Sequence, residues 1–163
     1  MHATTLPRAA PGGRLAPAAL DTRARRAIEL GLNVLASSAV VSGSALDGLA
    51  DVARVDASGI EDPRTLLSSI RAALRVDPVS WHDAAAEDTY DLIVGLAKQL
   101  WASERRPALV LENPETPVAM ALFGRLRDEL WDVPLRWLVV VPATVGAALD
   151  RPPANAFFEV ALA

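Results

Sequence analysis

Apolar residues along the chain follow two alternating rhythms. Five short runs rich in β-branched and aliphatic residues have the length and composition of strands: LNVLAS at 32–37, VARVDAS at 52–58, PALVLE at 107–112, WLVVVP at 137–142 and FFEVALA at 157–163. Between them, apolar residues recur every three or four positions, the period of a helix packed on one face. Asp21 reads as the N-cap of a helix that stops at Gly31. Pro63 opens a helix over 63–75, with Leu66, Ile70, Ala73 and Leu74 on its apolar side. A long helical segment covers 83–103, with Tyr90, Ile93, Val94, Ala97 and Trp101 as its expected buried stripe. Pro117 opens another helix over 117–131, and a short helix is expected at 45–50. Gly146 and the Arg151, Pro152, Pro153 cluster read as the connection to the last strand.

Largely apolar strands that alternate with helices predict an α/β three-layer sandwich with a mostly parallel five-stranded sheet, covered on both faces. An all-helical fold is the alternative, weakened by runs too short and too β-branched for good helices. Residues 1–18 hold Pro7, Pro11, Gly12, Gly13 and Pro17 and predict a flexible tail, leaving 19–163 as the domain.

Composition narrows the functional classes. Hydrophobic residues make up 52% of the chain and charged residues 22%, enough apolar material for a core. The net charge of −4 argues against a broad nucleic-acid footprint. The Arg23, Arg25, Arg26 cluster reads as a solvated helix face or as an anion site. The absence of cysteine excludes disulfides, thiolate catalysis and cysteine-bound metal. His2 and His82 lie far apart, against a histidine-rich zinc site. No run reaches the length of a membrane span, and the N-terminus lacks a signal-type apolar segment, so the expectation is a cytoplasmic protein. Of the four tryptophans, Trp101, Trp131 and Trp137 are expected in the core. Trp81, beside His82 in a connection, is the expected interface anchor.

Ligands of such sheets sit beyond the carboxyl ends of the strands. After 32–37 the sequence reads Ser38, AVVS, Gly43, Ser44, Ala45, the spacing of a phosphate loop, GxxxxGK[ST]. Serine stands at the first glycine, Ser44 at the lysine and Ala45 at the magnesium-binding hydroxyl. An ordinary loop and a weak anion site built on the N–H groups of Ser42, Gly43 and Ser44 are both open readings. Glu112 closes an apolar strand, where a carboxylate can hold magnesium or cap a solvated strand end. Asn113 follows it and cannot serve as a general base. Thr144, past the 137–142 strand, reads as a γ-phosphate contact or as a cap.

In this order the segments resemble the AAA+/STAND-type P-loop ATPases. IELGLNVLASSAVVSGSAL looks like the first strand and phosphate loop, and VARVDASGIEDPRTLLSSIRAAL like the second strand and its helix. RPALVLENPETPVAMALFGRLRDELWDVPLRWLVVVPAT is similar to the Walker B strand, the next helix and the sensor 1 strand, and RPPANAFFEVALA to the approach to the fifth strand. The resemblance implies a P-loop NTPase-like fold with a degenerate Walker A. Among Ser38, Gly43, Ser44 and Ala45 only Gly43 matches that motif. Glu112 falls on the first Walker B acid, Asn113 replaces the second, Thr144 falls near sensor 1, and Arg151 lies where the family often carries an arginine. The helical lid that follows the fifth strand in the family has no counterpart in the sequence, which is either a short protein or a piece of a longer one.

The expectation is a catalytically inactive ATPase-like module with no catalytic residue and no cofactor. It would bind a protein partner or self-associate, with the 157–163 edge as a further pairing surface. The alternative is a weak nucleotide-binding regulatory ATPase using ATP with magnesium on Ser38, Ser42, Gly43, Ser44, Glu112 and Thr144, the metal on Glu112.

Overall fold

A computed structural model describes residues 17–76 and 88–163. Most of the expected tail, the start of the 83–103 helix, and Trp81 with His82 lie outside the described residues.

Five parallel strands form one sheet in the order β2-β3-β4-β1-β5: β1 (Val34–Ser37), β2 (Val52–Asp56), β3 (Ala108–Glu112), β4 (Arg136–Val141) and β5 (Val160–Leu162). Side chains of a strand alternate between faces, and the two halves of the core follow that parity. Leu35, Val55, Leu109, Leu111, Trp137 and Val139 point to one face, covered by α2 (Pro63–Ala73), α3 (Thr89–Ala102), α4 (Thr116–Met120), α5 (Arg127–Trp131) and α6 (Ala143–Leu149). Val34, Ala36, Val110, Leu138 and Val140 point to the other, covered by α1 (Pro17–Glu29) together with Val41, Ala45 and Leu46. The result is the three-layer α/β sandwich that the alternation predicts.

Several boundaries differ from expectation. Helix α1 begins at Pro17, not at Asp21, so Asp21 lies inside it and its carboxylate accepts the Ser42 N–H at 2.8 Å. The chain leaves α1 through Gly31, whose φ of +84° suits glycine, while Leu32 N–H returns to the Ala27 carbonyl at 3.0 Å. No helix forms over 45–50. Turns closed by Ala45 N–H on Ser42 O and Asp47 N–H on Ser44 O replace it, and Gly48 at φ +84° breaks the run. Asp62 caps α2 through the Thr65 N–H at 3.0 Å, and Asp88 caps α3 through the Asp91 N–H at 2.8 Å.

The 117–131 helix is broken in two by a π-helical turn at Ala121–Arg125, where Leu126 N–H bonds to Ala121 O at 3.0 Å. The extra residue in that turn lets three successive residues, Leu122, Phe123 and Gly124, all be buried. Gly146 lies within α6 instead of in a loop. At the last strand, Phe157 ends a 3₁₀ turn, Ala154–Phe157, so β5 starts only at Val160. Trp137 is buried as expected, but Trp101 and Trp131 are exposed. The buried stripe of α3 is Leu92, Ile93, Leu96 and Leu100, one step around the helix from the expected one.

At the amino end of the sheet, Arg105 clasps Asp51 through Nη2 at 2.7 Å and Nε at 3.1 Å, and its Nη1 donates to the Leu74 carbonyl at 2.9 Å. This joins the end of α2, the start of β2 and the approach to β3. The Arg105 hydrogen bonds hold the Asp51 carboxyl below its ordinary value of 3.8. A carboxylate with a lowered native pKa stabilises the fold above its unfolded value, and that contribution is lost as pH falls through the lowered native value. Asp51→Asn, which tolerates the φ of +54° at this position, should therefore flatten the acid limb of stability below about pH 4. Urea midpoints measured from neutral to acid pH for both proteins check this.

Candidate functional site

All five strands run the same way, so their carboxyl ends gather at one edge of the sheet. The 38–45 loop leaves β1 there and lies beside the ends of β3 and β4. A polar cleft of about 430 Å³ opens between them, lined by Asp21, Ser38, Ser42, Gly43, Glu112 and Asn113 among others.

Most N–H groups of the loop are engaged, some within it and some by its neighbours. Ser38 N–H bonds to Val141 O at 2.8 Å, and Val40 and Val41 N–H both bond to Ser37 O, at 3.1 and 3.0 Å. Ala39 N–H reaches Ser37 Oγ at 3.3 Å, and Ser42 N–H reaches the Asp21 carboxylate at 2.8 Å. Ser44 N–H reaches Ser42 Oγ at 3.2 Å, and the two hydroxyl oxygens lie 2.7 Å apart. Val41 is 2% exposed and anchors the loop in the core beneath α1.

Glu112 closes β3 on the face that the loop covers. The residue that meets it is Arg54 of β2, on the same face of the sheet. Arg54 Nη2 and Nε both donate to Glu112 Oε1, at 2.5 and 3.1 Å. Gly43 is pressed against this pair. A Cβ built there would fall 1.9 Å from Glu112 Oε1 and 2.6 Å from Arg54 Nη2. Glycine lets the loop lie directly on this half-exposed ion pair, and any side chain there would have to push the ends of Glu112 and Arg54 aside. Asn113 takes φ +54° and turns the chain out of β3, its N–H bonded to Val140 O at 3.0 Å. Across from Glu112 in register stands Asp56, whose Oδ1 accepts the Ser58 N–H and hydroxyl at 3.0 and 2.7 Å. Those bonds hold the Asp56 carboxyl below its ordinary range, the Ser58 hydroxyl contributing most and the Asn113 side chain least.

Of the residues singled out from sequence, Ser38, Ser42, Gly43 and Glu112 therefore meet in one cleft, with Ser44 bonded to Ser42 beside it. Thr144 is exposed in the first turn of α6, which has no side-chain cap. Arg54 escaped the sequence reading, because its partner is 58 residues away. The alternation of VARVD does mark it as a charged residue facing the same way as Val52 and Asp56.

A bound magnesium–triphosphate needs free N–H groups in the loop, a lysine against the outer phosphates and an unpaired carboxylate for the metal. The donor set here does not fit that group: the loop amides named above are engaged, 38–45 holds no lysine, and the carboxylate carries an arginine. No group of three or more acidic or histidine side chains suited to a metal occurs among the described residues. Nor is any described helix long and apolar enough to cross a membrane.

The sheet order, layers and placement of the loop define a P-loop NTPase-like fold. The chain shares this fold with several solved structures. It is similar to Cdc6p from Pyrobaculum aerophilum, with a TM-score of 0.63 and 13% identity over 96% of this chain and 47% of that one. It is similar to the Aeropyrum pernix ORC2 protein solved in ADPNP–ADP complexes, with a TM-score of 0.57 and 15% identity over 90% of this chain and 46% of that one. A chain of Drosophila ORC bound to AT-rich DNA and Cdc6 matches with a TM-score of 0.56 and 12% identity, over 90% and 55%. At these identities the likeness is one of fold, and this chain spans about half the length of those it matches. No family model and no curated protein matches the sequence.

Proposed function

We propose that this domain is a non-hydrolysing relative of the P-loop ATPases that works by binding or assembling with protein. The observation that carries the reading is the Arg54–Glu112 pair seated on Gly43. A guanidinium neutralises the one acid that remains at the Walker B position. The engagement of most N–H groups in the 38–45 loop supports the same reading, as does the lack of a helix directly behind it, since a helix start supplies much of the field that holds phosphate. The fold itself is shared with proteins solved in multi-subunit assemblies, so the scaffold is one that suits assembly.

The polar cleft favours one second reading, weak nucleotide binding with magnesium on Glu112. Calorimetry with ATP and magnesium separates the two. The expected result is no binding tighter than about 10 µM, or roughly −7 kcal/mol. Tighter binding that disappears in Glu112→Ala would overturn the proposal. Steady-state phosphate release at background level is expected alongside it.

A further inference from the structure

Helix α3 is apolar on two sides. Leu92, Ile93, Leu96 and Leu100 enter the core. Tyr90, Val94, Ala97 and Trp101 recur at helical spacing on the other side, where they line a cleft of about 430 Å³ shared with Glu129 and Asp132 beside α5. Val94 and Ala97 are half-buried, Ala97 against the core, and form the floor of the cleft, while Tyr90 and Trp101 stand exposed at its sides, an apolar surface shaped for contact. Trp101 is 65% exposed and Tyr90 is 52% exposed. Trp101 is nonetheless held in place: its indole N–H donates to the Asp132 carbonyl at 3.1 Å. A large ring already fixed in position loses little freedom when a partner packs on it.

The charge of the rim selects among partners. The Glu129 and Asp132 side chains belong to no ion pair among the described residues, and the single cation of the cleft, Lys98, is exposed and likewise unpaired. Two carboxylates beside an open indole face suit a guanidinium, which stacks on an aromatic ring while its N–H groups reach carboxylate oxygens. We infer that this cleft docks a protein partner through an arginine set between apolar residues, the apolar neighbours covering Val94 and Ala97 and the guanidinium lying on Trp101 toward Glu129 and Asp132. The inference rests on the reading that the domain binds protein, and it supplies the place and chemistry of that contact.

The test uses the whole chain and a blocked pentapeptide, acetyl-Ala-Leu-Arg-Leu-Ala-amide, against the same peptide with citrulline, the uncharged isostere of arginine. Titrations are followed by the Trp101 indole N–H resonance, assigned with Trp101→Phe. The arginine peptide is expected to saturate that resonance and to bind about fivefold tighter than the citrulline peptide. Glu129→Gln with Asp132→Asn should erase the difference while leaving the Asp132 carbonyl and the fold intact. Trp101→Ala should weaken both peptides, with circular dichroism unchanged. Equal binding of the two peptides overturns the inference, as does a shift confined to other residues. So does concentration-dependent dimerisation that Trp101→Ala abolishes in the absence of peptide, which would assign the cleft to a second copy. Any of these results leaves the non-hydrolysing reading standing, because that reading is decided by magnesium–ATP binding and phosphate release, not by this cleft.

Discussion

Phe123→Ala is expected to lower the unfolding free energy by about 4 kcal/mol, the largest effect of any substitution considered. The ring is fully buried, with centroid distances of 5.4 Å to Trp137, 5.1 Å to Phe157 and 5.1 Å to Phe158. It joins three elements at once: the π-helical turn, the amino end of β4 and the turn before β5. Truncation removes the buried ring and leaves a cavity whose walls, a sheet residue and a tight turn, have little room to collapse. The loss corresponds to about 10 °C in melting temperature for a domain of this size. Phe123→Leu keeps most of the volume and should cost roughly 1.5 kcal/mol. Guanidinium denaturation of the three proteins gives both values. Equal stability of the alanine and leucine variants would show that the site collapses freely.

Asn33→Leu should destabilise the fold by about 3 kcal/mol for a different reason. Asn33 is the only buried polar side chain among the described residues. Its Oδ1 accepts the Trp137 N–H at 3.2 Å and its Nδ2 donates to the Phe157 carbonyl at 3.3 Å, while its own N–H reaches Glu159 Oε2 at 2.6 Å. Leucine matches its size and leaves a buried backbone donor and a buried backbone acceptor without partners, each costing on the order of 1–3 kcal/mol. The damage should be local as well as global, because these bonds seat β5 beside β1. Hydrogen exchange at Val160–Leu162 should quicken more than at β3. Uniform acceleration across the sheet would contradict that account.

The strands and their alternation with helices were legible because each strand is a short β-branched run bounded by breakers, whereas their order in the sheet was not. Helix α3 was legible as a helix, yet its buried side was not. With apolar residues on both sides, periodicity alone cannot choose a face, and the stripe through Tyr90 and Trp101 looked as good as the one through Leu92 and Leu100. Helix α6 was hidden by its alanines and Gly146, which give no apolar rhythm. The π-helical turn depends on burying three neighbours in succession, a tertiary demand that local spacing does not record. The sequence describes the candidate site only as an expected set of missing groups at Ser38, Ser44, Ala45 and Asn113. What stands in their stead was not legible, since Arg54 reaches Glu112 only through strand pairing. The loop's bond to Asp21 was masked by reading that residue as a helix cap.

The position of β1 in the sheet also sets a timetable for synthesis. Its neighbours are β4 and β5, both made after β2 and β3, which can pair while β4 is still unmade. Strand β1 is thus made before β2 and β3 and pairs with neither. Until Arg136–Val141 arrives, Val34, Leu35 and Ala36 have no strand to bond to. Non-local pairing of this kind slows folding and leaves an apolar edge uncovered for longer. Truncations that stop short of β4 are therefore expected to collect in aggregates instead of folding as a smaller unit.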